Sequence, residues 1–358
     1  MRYVVVGAGA VGSALSGLLA RRDRSVLLIG RGDHARAVRD RGLTIQCPDI
    51  TFTVSVPVAT APDQVRLHVD DVLVLTTQTH QTAAAVQQWA DAPVYDDGNN
   101  AVGTAAGSLP ILTASNGVSS EDIALRWFER VFAVCVWCPV VAAEPGKIIV
   151  QGAPLRGLFH IGRYGTSTDP AADAELLDCV GEDWDDADCL TRLPDDVMSW
   201  KYRKLLADLR NAVDALIDDS AAASDLTDAC QSEAEHVLQV AGFTVVPVDR
   251  ARVDWDHEGL IVRPVPNCPS HHGSPTRQSL ARDTGSVETD YLNGEIARLG
   301  RLLGVPTPLN TGLTTAARHA ARQHRPPGST TTTRFRTQLH PTGNIRGGRT
   351  CTPTKYRS

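Results

Sequence analysis

The chain has 358 residues, 42% of them hydrophobic and 21% charged, with a formal net charge of −6. That length is ample for two domains with cores of their own, and the composition is that of an ordinary soluble globular protein. No apolar run approaches the ~18 residues of a membrane span, and no basic-then-apolar leader precedes the first motif, so a cytoplasmic protein is expected.

The first element, Arg2 to Val6, is a short β-branched run that reads as a buried parallel strand. It enters Gly7-Ala8-Gly9-Ala10-Val11-Gly12, a G-x-G-x-x-G, after which Ala14, Leu15, Leu18 and Leu19 recur at helical spacing. In such a loop Gly7 makes the turn off the strand, Gly9 admits a pyrophosphate to the backbone, and Gly12 lets helix and sheet pack closely. The N–H groups at the helix start add a partial positive charge for the phosphates. Ser25 to Ile29 then reads as the second strand. An NAD site usually carries an acid at its end for the ribose 2′-hydroxyl, whereas Arg31 follows here. A guanidinium matches a 2′-phosphate, so NADP(H) is the expected cofactor.

Asp33 to Arg41 reads as a helix, and Leu43 to Val58 as extended segments broken at Pro48 and Pro57. Asp71 to Thr76 is a further core strand, leading to a helix over Thr82 to Ala90. The strand Pro110 to Ala114 ends at Ser115-Asn116-Gly117; a helix over Glu121 to Arg130 and the strand Val131 to Trp137 follow. Strands alternating with helices predict an α/β, doubly wound parallel sheet. Ligands on such sheets bind beyond the carboxyl ends of the strands, which is where Gln78 and Asn116 lie.

Eight cysteines are scattered through the chain, as expected with reduced thiols. Cys135 and Cys138 have C-x-x-C spacing but sit inside the apolar run Val131 to Val141, with no second pair to complete a metal site. Buried structural cysteines, and no metal, are expected.

Two hairpin-like segments, Lys147 to Gln151 and Gly157 to Gly162, follow the Glu144-Pro145-Gly146 turn. Asp169-Pro170 opens a helix, and the acidic stretch Glu182 to Asp188 reads as solvated surface. From Asp195 nearly everything reads as helix: Asp196 to Leu216, Asp225 to Ala241, Thr276 to Arg282, Val287 to Gly304, and Asn310 to Gln323. The expected organisation is a Rossmann domain over 1–165, an all-helical domain over 166–323, and a tail over 324–358. From Arg325 to Ser358 there are seven basic residues and no acid, in a Thr-, Gly- and Pro-rich context that reads as disordered rather than as a nucleic-acid or membrane contact. The long helices of the second domain could support a homodimer.

Within the helical half, Lys204, Asp208 and Asn211 stand at i, i+4 and i+7, so one helix face presents an ammonium, a carboxylate and an amide. Glu288 and Asp290 open a later helix. Spacing alone leaves the bland readings open: Lys204–Asp208 as a surface pair worth under about 1 kcal/mol, Glu288 as a charge favouring its helix dipole.

The chain resembles the ketopantoate reductases (2-dehydropantoate 2-reductases) over nearly all of Met1 to Gln323. The blocks that carry the resemblance are Gly7 to Gly12 with Arg31, Ser115 to Val118, Glu144-Pro145-Gly146, Trp200 to Leu206, Gln278 to Gly285, Glu288 to Ile296, and Thr307 to Asn310. The resemblance implies that NADPH gives a hydride to the C2 carbonyl of ketopantoate, a small 2-oxo acid, yielding pantoate for pantothenate and coenzyme A synthesis. It implies Lys204 as the general acid that protonates the developing alkoxide, and Glu288 as the group that holds the lysine and the cofactor side of the site. Asn116 would contact the nicotinamide ribose and substrate, and Ala142 would line the nicotinamide end. Asn116, Lys204, Asp208, Asn211 and Ser274 make up the implied substrate contacts.

There are departures. Gln78 stands where the family usually has a lysine, removing a cation from the cofactor side. Asp208 replaces the usual amide one turn beyond Lys204; it can pair with that lysine, blunt it as an acid, and repel an anionic 2-oxo acid. Ser274-Pro275 replaces a Ser-Ser pair, and Pro275 cannot donate a hydrogen bond. Two alternatives therefore stand beside ketopantoate reduction: an NADPH-dependent reductase of another carbonyl or imine, and a non-catalytic dinucleotide-binding homologue.

Overall fold

The computed structural model describes residues 1–250, 259–268, 273–283, 285–333 and 335. Strand β1 (Arg2–Val6) leads through the glycine loop into helix α1 (Ala10–Arg21), then β2 (Ser25–Ile29) and α2 (Gly32–Arg41). The segment expected to be extended forms β3 (Leu43–Gln46), β4 (Thr51–Val54) and β5 (Val58–Ala59). After β6 (Leu67–His68) and β7 (Asp71–Leu75), α3 spans Thr82–Ala90; β8 (Pro93–Tyr95), β9 (Ala101–Thr104) and α4 (Ala105–Ser108) precede β10 (Pro110–Thr113). Helix α5 (Ser120–Leu125) is shorter than expected, because β11 (Arg130–Trp137) already starts at Arg130.

The main sheet has eight strands; β5, β2, β1, β7, β10 and β11 run parallel, in register from Val4 opposite both Leu27 and Leu73. Alternate residues of β1 serve opposite faces. Tyr3 and Val5 pack with Leu15, Leu18 and Leu19 of α1, and Val4 and Val6 with Leu73, Trp89 and Ile111. This is the two-sided burial that makes a parallel strand read as a continuous apolar run.

The two hairpin-like segments do not pair with each other. After β12 (Val140–Glu144), β13 (Lys147–Val150) joins a small sheet, antiparallel to β12 and parallel to β3. Strand β14 (Gly157–Tyr164) instead extends the main sheet, antiparallel to β11. Nor does the sheet body stop near 165. Helix α6 (Pro170–Asp186), capped by the Asp169 side chain, returns the chain to β15 (Cys189–Arg192), which pairs in parallel with β14. The acidic stretch is correspondingly built in: Trp184 is fully buried in the sheet core, and Asp183 accepts a 2.8 Å hydrogen bond from the Tyr3 hydroxyl. Its carboxylates face Arg24 and the β15 backbone rather than water alone.

The remaining described residues are almost wholly helical. The expected first helix is two, α7 (Val197–Asp208) and α8 (Arg210–Leu216), separated at Leu209. Helices α9 (Ser220–Val240), α10 (Pro275–Ala281), α11 (Asn293–Leu303) and α12 (Pro308–Arg322) follow, with a 3₁₀ turn at Glu288–Tyr291 replacing the expected start of α11. The early tail is also structured. Gly328 and Thr330 donate backbone hydrogen bonds to Ala215 and Leu216, and Phe335 is buried in the core of α8, α9 and α12. Arg334, Arg336, Arg346, Arg349, Lys355 and Arg357, six of the seven residues on which the expectation of a basic disordered end rested, lie outside the described residues, as does Cys351.

No helix among the described residues is long and apolar enough to cross a membrane. Cys135 is buried on β11, and burial pushes both its thiol and that of Cys138 up to about 12. Among the described residues no group of His, Cys, Asp or Glu is arranged to hold a metal ion.

Candidate active site

The carboxyl ends of β1, β7, β10 and β11 lie on one edge of the sheet, and each delivers part of the site. At the end of β1, Gly7 has φ +125°, and a Cβ there would press on Thr76 and Thr77. A Cβ on Gly12 would stand 2.0 Å from the Gly7 carbonyl oxygen, so helix and loop touch backbone to backbone. Above Gly9 there is open space, with nothing within 4 Å of a built Cβ, and α1 starts with no side chain capping its N–H groups. Ala8, Val11 and Ala142 are each partly buried against the sheet core. An open cradle under an uncapped helix start fits a dinucleotide pyrophosphate.

Arg31 follows β2 on the exposed surface. Its guanidinium touches only the Thr60 carbonyl (3.4 Å) and the Gln88 side chain (3.2 Å), and it forms no ion pair among the described residues. It therefore keeps donors for an anion.

After β7, Gln78 precedes a 3₁₀ turn whose first residue, Thr79, is fully buried. The Thr79 amide and hydroxyl both donate to Glu288 Oε1, at 2.9 and 3.0 Å, and the hydroxyl also lies 2.8 Å from the Asn116 carbonyl oxygen. Glu288 thus ties the helical half to the ends of β7 and β10. Burial raises its pKa, with the Asp208 charge adding to the shift; hydrogen bonds from Thr79 and Asn116 oppose it.

The lysine is held by Asp208, as the departure at that position suggested, and not by Glu288. Among the described residues Glu288 makes no ion pair with Lys204; Asp208 does, with its two oxygens 2.6 and 2.7 Å from Nζ. Helical i, i+4 spacing puts the carboxylate under the ammonium, a geometry that an amide at 208 would replace with a single acceptor. The ammonium also lies 3.4 Å from Asn116 Oδ1 and 4.9 Å from the centre of the Trp137 ring. Its side chain is 14% exposed, so it is held where the helical half meets the ends of β10 and β11 and is not a solvated surface charge.

One expected substrate contact is otherwise engaged. The Ser274 hydroxyl donates to the Asn211 carbonyl (3.0 Å) and accepts from the Arg277 amide as the N-cap of α10, with Pro275 at the first helical position, where a missing N–H costs nothing. The proton that would reach a substrate carboxylate is spent. Asn211 is buried, and its Nδ2 has no partner among the described residues.

Two participants carried no sequence signal. Trp137 lies inside the C-x-x-C run, and Thr79 is one threonine among four between residues 76 and 82. No local spacing distinguishes these from surface residues.

Two family models match the chain: Ketopantoate reductase PanE/ApbA over residues 3–165, and the C-terminal domain of the same family over 196–321. The 2-dehydropantoate 2-reductase of Pyrococcus horikoshii is 26% identical over 316 residues, covering 87% of this chain and 94% of that protein. That of Halobacterium salinarum is 30% identical over 173 residues, 47% of this chain and 51% of the relative. Among solved structures, a ketopantoate reductase from Ralstonia eutropha JMP134 superposes with a TM-score of 0.72 at 24% identity, covering 90% of this chain and 99% of that one. A D-mandelate dehydrogenase bound to NADH and anilino(oxo)acetate gives 0.73 at 20% identity, with the same coverage. These likenesses are of fold. The matches together span most of both halves, and the chain belongs to the ketopantoate reductase family, oxidoreductases acting on a CH–OH group.

Proposed function

We propose that the protein reduces the C2 carbonyl of 2-dehydropantoate to pantoate with NADPH, Lys204 serving as general acid, in pantothenate and coenzyme A synthesis. The observation that carries this is the Lys204 ammonium, brought from the helical half to within 3.4 Å of the Asn116 amide oxygen at the carboxyl edge of the sheet. Gly7, Ala8, Gly9, Ala10, Val11 and Gly12, with the start of α1, would hold the pyrophosphate, and Arg31 the 2′-phosphate. Gln78, Asn116 and Ala142 would border the nicotinamide end, with Glu288 fixing Thr79 and Asn116 there. The nicotinamide supplies the hydride when bound. Lys204 stabilises the oxygen as charge builds on it and passes it a proton from Nζ. Asp208 orients the ammonium, and the Trp137 ring covers it on one side against water.

The test is NADPH oxidation followed by absorbance with ketopantoate, a panel of 2-oxo acids, and neutral carbonyls. Turnover of ketopantoate supports the reading. Turnover of uncharged carbonyls alone overturns it in favour of a related reductase with a different substrate.

Asp208 and the engaged Ser274 specifically favour that second reading. A substrate carboxylate ~5 Å from Asp208 meets about 3 kcal/mol of repulsion at an effective dielectric of ~20, part of it cancelled by the ammonium. Asp208→Asn is accordingly expected to lower KM for ketopantoate roughly tenfold; an unchanged KM across 2-oxo acids would show that residue 208 does not face the carboxylate.

Arg31→Ala is expected to weaken NADPH binding by about ten- to a hundredfold, from the loss of charged hydrogen bonds worth about 1.5–3 kcal/mol. NADH binding should not change. Fluorescence titration with both nucleotides checks this, and equal losses would place Arg31 away from the 2′-position.

A further inference from the structure

Beneath the crevice lies a buried ion pair with no assigned role. Lys201 and Glu121 have side chains 2% and 0% exposed and are in direct contact, Nζ to Oε1. Nζ also donates to the Ser115 carbonyl at 3.1 Å and lies 3.4 Å from that of Val134. Glu121 Oε1 accepts a further hydrogen bond from the Thr113 hydroxyl at 2.8 Å, while Oε2 has no partner among the described residues.

The pair is poorly explained as a stability device. Taking both charges out of water is costly, and apolar residues of similar volume often do as well. The unsatisfied Oε2 adds to that cost. Its placement is more telling. Lys201 is one helical turn before Lys204 on α7, and the carbonyl it holds belongs to the residue just before Asn116. The same loop is pinned from the other side, where the Ser115 hydroxyl donates to Ser120 Oγ at 2.6 Å and Ser120 Oγ meets Thr82 Oγ1 at 3.1 Å. One turn of helix and one peptide unit therefore separate the anchor from the two groups that face each other in the crevice.

We propose that Lys201 and Glu121 are positioning residues, a buried pair that fixes the 115–119 loop and the start of α5 against α7 and so sets the spacing between Asn116 and Lys204. The inference rests on Lys204 acting as the general acid. A proton donor must lie within hydrogen-bond reach of the oxygen it serves, and a displacement of ~1 Å at such a group costs about a hundredfold in rate. A substrate oxygen can reach the Lys204 ammonium and the Asn116 side chain, 3.4 Å apart, together only while the loop stays where the pair holds it.

The test replaces both charges at once, Lys201→Met with Glu121→Gln, so that no lone charge is left buried. The glutamine carbonyl can still accept from Thr113. Expected results are a turnover number ten- to a hundredfold lower, NADPH Kd and substrate KM within threefold of native, and faster amide exchange across 115–121. A variant that melts lower yet turns over within twofold of native overturns the proposal, since the pair is then structural only. So does a rate loss matched by an equal loss of NADPH affinity, which would report general loosening. If the native protein turns over none of the carbonyls with NADPH, it is the reductase reading that fails; the loop-fixing claim is then decided by exchange, and unchanged protection at 115–121 overturns it.

Discussion

Lys204→Ala is expected to lower the turnover number by roughly 10²–10⁴, the range that a positioned proton donor supplies, with NADPH affinity within about threefold of native. The glycine loop and Arg31 lie at the other end of the strand edge and do not touch this side chain, which is why binding and rate should separate. The substitution has a second consequence. Asp208 is a buried carboxylate, and its hydrogen-bonded cation is Lys204; alanine would leave that charge unpaired, at a cost of about 3–5 kcal/mol. Lys204→Arg separates the two effects. A guanidinium keeps the ion pair with Asp208 but does not give up its proton. The arginine variant should therefore melt near the native temperature and still be slow. Single-turnover measurements with thermal melts of both variants check this. A fast arginine variant would mean that residue 204 supplies charge alone, and a fast alanine variant would remove it from the chemistry.

Gly12→Ala is the second large effect. The added Cβ would meet the Gly7 carbonyl oxygen at 2.0 Å and Thr76 Oγ1 at 2.3 Å, far inside any contact that real Cβ atoms make. Neither obstacle is the free end of a flexible chain. The Thr76 hydroxyl is itself fixed by donating to that same carbonyl at 2.8 Å. Relief requires α1 to lift from the sheet, with an overpacking cost of about 1–3 kcal/mol or more, and a distorted loop should bind NADPH roughly a hundredfold more weakly by the 1.4 kcal/mol-per-decade scale. Gly9→Ala is the control. Gly9 has an ordinary φ of −80° and nothing within 4 Å of its built Cβ, so the apoprotein should melt as native while NADPH affinity falls because the methyl fills the approach to the backbone. Melting curves with and without NADPH distinguish the two. A stable, tight-binding Gly12→Ala would show that the helix–loop contact is slack.

Burial along an element is what local pattern reports, and the elements it reported well are those whose neighbours are near in sequence. The β-branched run before Gly7, the strand Asp71–Leu75 and the helix Thr82–Ala90 were all legible because two-sided or one-sided burial dictates their periodicity. Partner choice was not. The segments 147–151 and 157–162 look alike, and only the fold sends one to β3 and the other to β11. The order of 324–333 is not legible because its composition is polar, although backbone hydrogen bonds at Gly328 and Thr330 tie it to α8 and Phe335 is buried beside it. The site divides in the same way. The glycine loop, Asn116 and the Lys204–Asp208 pair follow from motif and helical spacing, whereas the Thr79–Glu288 contact joins residues 209 apart and leaves no mark on either neighbourhood.

That contact orders events as well as atoms. The cradle at Gly7 to Gly12 is finished by chain made early in synthesis, while the carboxylate that braces Thr79 arrives 209 residues after that threonine, once the lysine has been laid down. A ribosome-bound chain would thus own a nucleotide cradle well before it owns a reactive centre, and catalytic competence would wait on the docking of its final helices.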